Sequence, residues 1–178
     1  MSTIVFFHAH PDDEAIFTGG TIARLAELGH RSIVVFATSG ELGAGAGPEL
    51  AAERQAEARS ACAVLGAERP VFLDHVDSGL SPDPASRPTG AFADCGVDLA
   101  ARALAATLEH IRADALVTGP VSKAVIASSD VPGTDVFRGH TEHLQARLAA
   151  SEVVMAFWSP VLTVGLVTTH MSLASVPT

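Results

Sequence analysis

Ile4-Val5-Phe6-Phe7-His8-Ala9-His10-Pro11-Asp12-Asp13-Glu14 is the stretch that decides how this chain folds. Four consecutive apolar residues read as a buried strand, Pro11 stops it, and the amphipathic run beyond reads as a helix. The same alternation recurs, with strands expected near residues 3–8, 31–37, 70–73 and 115–118, and helices near 13–28, 49–65, 97–112 and 140–150. The apolar runs are continuous, as in strands buried on both faces. The expected architecture is α/β, a Rossmann-like three-layer sandwich with a mostly parallel sheet and helices on both faces. Residues 152–157 and 161–168 read as two more strands joined around Ser159-Pro160. At 178 residues the chain fits a single α/β domain.

The end of the first strand also carries chemistry. In open α/β sheets, ligands bind beyond the carboxyl ends of the strands, and here one imidazole and two carboxylates gather at such an end. Zinc accepts imidazole nitrogen and carboxylate oxygen, and a catalytic zinc keeps three protein ligands and a place for water. His10 and Asp13 suit two of those positions, which leaves Asp12 as a base for the water proton. The plainer alternative is that an aspartate caps the helix and Pro11 fills its first turn. That accounts for two residues of the four and calls for neither His10 nor a second acid.

The segment H-P-D-D-E, with Thr18-Gly19-Gly20, Thr38-Ser39-Gly40-Glu41, Glu53-Arg54-Gln55-Ala56-Glu57, Leu65-Gly66 and Asp77-Ser78-Gly79-Leu80, resembles the LmbE/PIG-L family of zinc-dependent N-acetyl-sugar deacetylases. The likeness covers residues 3–114. It implies His10 and Asp13 as zinc ligands, Asp12 as general base, and Arg54 and Glu41 as substrate contacts. The family's third ligand is a histidine in a downstream H-x-D-H segment, and this chain departs there.

From Ala115 onward the chain reads A-L-V-T-G-P-V-S-K, F-R-G-H-T-E-H and V-G-L-V-T-T-H-M-S-L. These segments resemble the central part of the 4-hydroxythreonine-4-phosphate dehydrogenase family, in which the histidines matching His140 and His170 bind a divalent metal. The expectation is a chimera, natural or engineered, of two fragments joined near 114–118. His140 and His143 are three apart and share a helix face. A hybrid site would then hold zinc, or another divalent metal, on His10, Asp13 and His143, with His140 as an acid partner in catalysis and His170 as a reserve ligand. The dehydrogenase resemblance implies that Lys123, the only lysine, helps hold a phosphorylated substrate, and the plainer alternative is an ordinary solvated lysine on a loop.

Three functions follow as expectations. A chimera keeping the metal site would hydrolyse N-acetyl groups on amino sugars. A recombined scaffold would turn over nothing. The dehydrogenase activity is disfavoured because the dinucleotide-binding part lies outside the matched segment, so no NAD is expected.

Other features bound the partners. The formal charge of −9 with 11 Lys and Arg argues against nucleic acid. No apolar run reaches membrane-spanning length, and two widely spaced cysteines, Cys62 and Cys95, suit a reducing compartment, so the expected setting is cytoplasmic with a small-molecule substrate. A mean hydropathy of +0.32 is consistent with a homodimer. Residues 39–48 are glycine-rich without dinucleotide-loop spacing and read as a pocket rim. Residues 74–96 form a long proline-containing loop, and a loop of that length is commonly functional. His8, in phase with His10, reads as a hydrogen-bonded core residue or as a group that orients a ligand.

Overall fold

The computed structural model describes residues 1–81, 83–95, 97–119, 123–127, 136–147, 149–168 and 175. The chain divides into two compact units, Met1–Pro120 and Val121–Thr178.

In the first unit, strand β1 (Thr3–His8) runs parallel to β2 (Arg31–Phe36) on one side and to β4 (Ala115–Thr118) on the other, and β2 pairs in parallel with β3 (Val71–Phe72). The order is β3-β2-β1-β4. Successive strands move outward to one edge and the chain then returns to the far side of β1. The carboxyl end of β1 therefore lies at the point where strand order reverses, the usual position of a ligand crevice.

Side chains alternate across β1 and β2, so Ile4, Phe6, Val34 and Phe36 face one way and Val5, Ile33 and Val35 the other, and all seven are buried. The first set packs with Ile22 of α1 (Gly19–Glu27) and with Ala58 and Cys62 of α2 (Leu50–Leu65). α2 ends at Gly66 with φ +75°, where a Cβ would come within 2.7 Å of the Ala26 Cβ, so both the backbone and the close approach of α1 require glycine. Helix α3 (Val97–Ile111) carries a half-buried stripe of Ala100, Ala103, Leu104, Thr107, Leu108 and Ile111 at helical spacing. Asp114 closes β4 onto β1, its Oδ2 accepting from Thr3 N–H at 2.7 Å and its own N–H donating to the Thr3 carbonyl.

The expected helix over 13–28 is divided. Residues Glu14–Thr18 form a single π turn before α1 begins. Thr18 Oγ1 donates to the Glu14 carbonyl at 3.0 Å and meets His8 Nε2 at 3.0 Å, a side-chain arrangement that widens the first turn and buries Glu14. Such bulges are frequent at functional sites.

In the second unit, α4 (Lys123–Ala127) and α5 (His140–Arg147) precede a hairpin of β5 (Ala156–Trp158) and β6 (Thr163–Gly165). The two late strands are shorter than expected and pair antiparallel with each other. Ser159 makes the turn, its N–H donating to the Leu162 carbonyl and its Oγ accepting from Leu162 N–H. Among the described residues, no helix is long and apolar enough to cross a membrane.

Candidate active site at the tip of the first strand

A pocket of about 520 Å³ opens at the carboxyl ends of β1, β2 and β3, walled by His10 and Asp12, by Gly43 and Ala44, by Glu53, Arg54 and Glu57 of α2, and by Asp77. The glycine-rich loop thus forms part of the rim, as its position after β2 suggested.

His10 lies between two carboxylates. Its Nδ1 is 3.8 Å from Asp13 Oδ2 and its Nε2 is 3.3 Å from Asp77 Oδ1. Asp13 Oδ2 also accepts from the His10 N–H at 3.1 Å, which ties the carboxylate back to the strand tip. Asp12 has φ 88°, an uncommon conformation for a residue with a side chain. Four hydrogen bonds hold it there: its N–H donates to Glu14 Oε2, its carbonyl accepts from Ala15 and Ile16, and its Oδ2 accepts from Arg54 at 2.9 Å. The turn thereby aims Asp12 outward while Asp13 stays beside His10.

Arg54 is a clamp as well as a pocket wall. Nη2 donates to the Pro11 carbonyl at 2.7 Å and to Asp12, and Nη1 donates to the Gly40 carbonyl at 3.1 Å. The guanidinium passes under the 40–43 loop so closely that a Cβ at Gly40, whose φ is +65°, would fall on Nη1 and lie 2.8 Å from Cζ. Gly40→Ala should therefore lower stability by about 1–3 kcal/mol, the usual range for a strained backbone position. Urea unfolding checks this, and in an Arg54→Ala background the loss should shrink because the steric part is gone.

Glu14 is buried, with Oε2 on the Asp12 N–H and Oε1 without a partner. Burial raises its carboxyl above the ordinary value near 4.5, hydrogen bonds from its own and Asp12's N–H oppose this, and the charges of Asp12 and Asp13 add to the rise. The folded chain thus keeps a proton that the unfolded chain has released, so stability falls as pH rises from about 4.5 through the raised value. Glu14→Gln keeps an acceptor for Asp12 and removes that slope. Its urea midpoint should exceed the parent's at pH 7 and converge with it near pH 4.

His8 is buried behind the site. Because the Thr18 hydroxyl proton goes to Glu14, His8 Nε2 must donate to Thr18, leaving Nδ1 as an unpartnered acceptor beside Gly119. Burial lowers its pKa, against the charge of Asp13. The hydrogen-bonded core alternative describes it.

The other expected site residues are placed as follows. Glu41 Oε1 accepts from the Asp77 N–H at 2.8 Å, and its Oε2 is buried, so what the structure gives Glu41 is a grip on the loop after β3. His140 and His143 both flank the Phe137 ring, with centroids 6.0 and 5.8 Å away, on α5 of the second unit. Lys123 Nζ and Glu142 Oε2 lie beside Gly139 in that unit. His170 lies outside the described residues. Among the described residues no group of three His, Cys, Asp or Glu is gathered in a metal-holding cluster. Asp77 was legible only as part of a resembling motif, with no role attached.

A family model described as PIG-L, GlcNAc-PI de-N-acetylase, matches residues 5–154. The chain belongs to the PIG-L family. That match runs through the join expected near 114–118 and over α5. Two curated relatives are described as 1D-myo-inositol 2-acetamido-2-deoxy-alpha-D-glucopyranoside deacetylases. The protein of Thermobifida fusca is 35% identical over 158 residues, covering 80% of this chain and 51% of the relative. That of Rhodococcus erythropolis is 32% identical over 168 residues, covering 86% and 53%. This PIG-L chain therefore spans about half the length of the curated relatives it matches. A solved structure, N,N'-diacetylchitobiose deacetylase from Pyrococcus horikoshii, aligns with a TM-score of 0.42 and 32% identity over 45% of this chain and 32% of that one.

Proposed function

We propose that this chain is a metal-dependent hydrolase that removes the acetyl group from an N-acetylated amino sugar. The observation that carries this is the divided turn at His10–Asp13, which places an imidazole and one carboxylate together and a second carboxylate in the pocket under an arginine.

The donor set suits a divalent ion such as zinc. His10 Nδ1 and Asp13 Oδ2 lie 3.8 Å apart, and an imidazole nitrogen and a carboxylate oxygen are both donors that zinc accepts. His10 and Asp13 would hold the ion, and the third ligand proposed from the sequence is His143, or His140 in its place. When bound, the ion lowers the pKa of water and polarises the acetyl carbonyl.

The remaining roles belong to side chains. Asp12 accepts the proton of the attacking water on Oδ1, the oxygen that Arg54 leaves open. Arg54 fixes that carboxylate and offers its remaining N–H groups to sugar hydroxyls, and Glu41 supports the same wall through Asp77. His140 and Lys123 keep the roles proposed for them from the sequence, an acid partner and a substrate contact.

Amine release from N-acetylglucosaminyl substrates, followed by fluorescamine, tests this. Metal-dependent release supports the reading, and none from a metal-loaded chain defeats it. The second reading is a recombined scaffold without turnover, favoured by the T-G-P-V-S-K and G-H-T-E-H segments and by the boundary between units at Pro120. The family match out to residue 154 weighs against it. An unfolding temperature unmoved by NAD would remove the dehydrogenase alternative.

A further inference from the structure

Asp77 is a carboxylate in the pocket wall, and no role has yet been given to it. Its side chain is 5% exposed and immobilised from several directions. Oδ2 accepts from Leu42 N–H at 3.2 Å, Oδ1 accepts from Gly79 N–H at 3.2 Å, and the residue's own N–H donates to Glu41 at 2.8 Å. Three loop residues thus orient one carboxylate, and its Oδ1 lies 3.3 Å from His10 Nε2.

A carboxylate offers acceptors to a ring N–H, and Nε2, 3.3 Å from Asp77, lies within hydrogen-bonding distance of one whereas Nδ1, 3.8 Å from Asp13, does not, which favours the proton on Nε2. In a neutral ring, His10 Nδ1 is then the nitrogen with the lone pair, and it is turned toward Asp13. We propose that Asp77 is a positioning residue that holds His10 in its Nε2–H form and so leaves Nδ1 as the nitrogen presented to a metal. This rests on the metal site proposed above.

The arrangement has a physical purpose. A histidine that can rotate or change tautomer offers its lone pair in the wrong direction part of the time. A fixed acceptor behind the ring removes those states and makes the nitrogen more basic, and loss of such a partner typically weakens metal binding 10- to 100-fold. The length of the loop over 74–96 gains a reason here: it returns Asp77 to the strand tip, anchored by the Val76–Ala91 bridge and by Phe92 N–H on the Val76 carbonyl.

The test is 15N NMR of the His10 ring in the full chain, without metal and with zinc, at a pH where the ring is neutral. The expected spectrum is an Nε2–H ring whose Nδ1 resonance alone moves on zinc addition. An Nδ1–H ring, or zinc binding through Nε2, overturns the proposal. In parallel, Asp77→Ala should bind zinc 10- to 100-fold more weakly with an unchanged far-ultraviolet circular dichroism spectrum. Affinity within twofold of the parent overturns it. Should Asp77→Ala not fold, Asp77→Asn, which retains one acceptor oxygen, should show an intermediate zinc affinity, and parental affinity in that variant counts against the proposal. A chain that binds zinc as expected but releases no amine defeats the deacetylase reading alone. A chain that takes up no zinc defeats the metal site, and the metal-free spectrum then decides whether Asp77 sets the ring.

Discussion

Asp12→Ala is expected to lower the rate of amide hydrolysis by about 10²–10⁴-fold, the range for loss of a positioned proton acceptor, while zinc affinity changes little. The two effects separate because the turn separates the carboxylates. Asp13 is bonded to the His10 N–H and faces the His10 ring, whereas Asp12 points into the pocket against Arg54. Asp12 is well exposed, so its removal leaves no buried cavity, although Arg54 loses one of its three acceptors. Steady-state kinetics and zinc titration on the same preparation decide the point. Loss of metal binding in Asp12→Ala would show that the division of roles is wrong.

Phe36→Ala should remove about 3–5 kcal/mol of stability, a large fraction of the 5–15 kcal/mol that holds a typical domain together. Phe36 is fully buried in the core beneath α1 and α2 and stacks on Phe72 with ring centroids 5.2 Å apart. Its position also links the core to the site. Phe36 pairs in register with His8, and its carbonyl accepts from Leu73 N–H where the chain turns toward Asp77. Urea denaturation measures the loss, and Val64→Ala, at a side chain 87% exposed on α2, should change stability by less than about 0.5 kcal/mol. Equal effects for the two would contradict the placement of the core.

How much of this was legible in the sequence depends on how local the signal is. The expected bounds of β1 and β4 match the structure to the residue and those of β2 to within one, because continuous β-prone runs bounded by turn residues are strong local signals. The pairing of His10 with Asp13, and the separate direction of Asp12, follow from four consecutive positions at a helix start. The π turn at Glu14–Thr18 was not legible, since it depends on Thr18 reaching both the Glu14 carbonyl and His8, a neighbour from the strand. Asp77 was missed for the same reason on a larger scale. It lies far along the chain from His10, and only the folded 74–96 loop brings it within 3.3 Å. The late strands were overextended because apolar content over 152–157 and 161–168 was taken as the whole strand, whereas the ladder spans only three residues on each side.

Arg54 shows a residue whose motif indicates one role while its geometry shows another. Its motif implied a substrate contact, but the geometry gives it a prior duty, holding the Pro11 carbonyl, the Asp12 carboxylate and the Gly40 carbonyl in one place. The glycines of the 40–43 loop are the sequence trace of that duty, because a side chain at Gly40 would occupy the space of the guanidinium.

The roles proposed for His10, Asp12 and Asp13 all require a metal at the tip of β1. Elemental analysis of zinc per folded chain, after zinc loading and desalting, tests it most directly when made on the parent and on Asp13→Ala together. The prediction is one zinc per chain in the parent and a large loss in the variant. No zinc in the parent, or the same amount in both, would contradict the claim that His10 and Asp13 form the site.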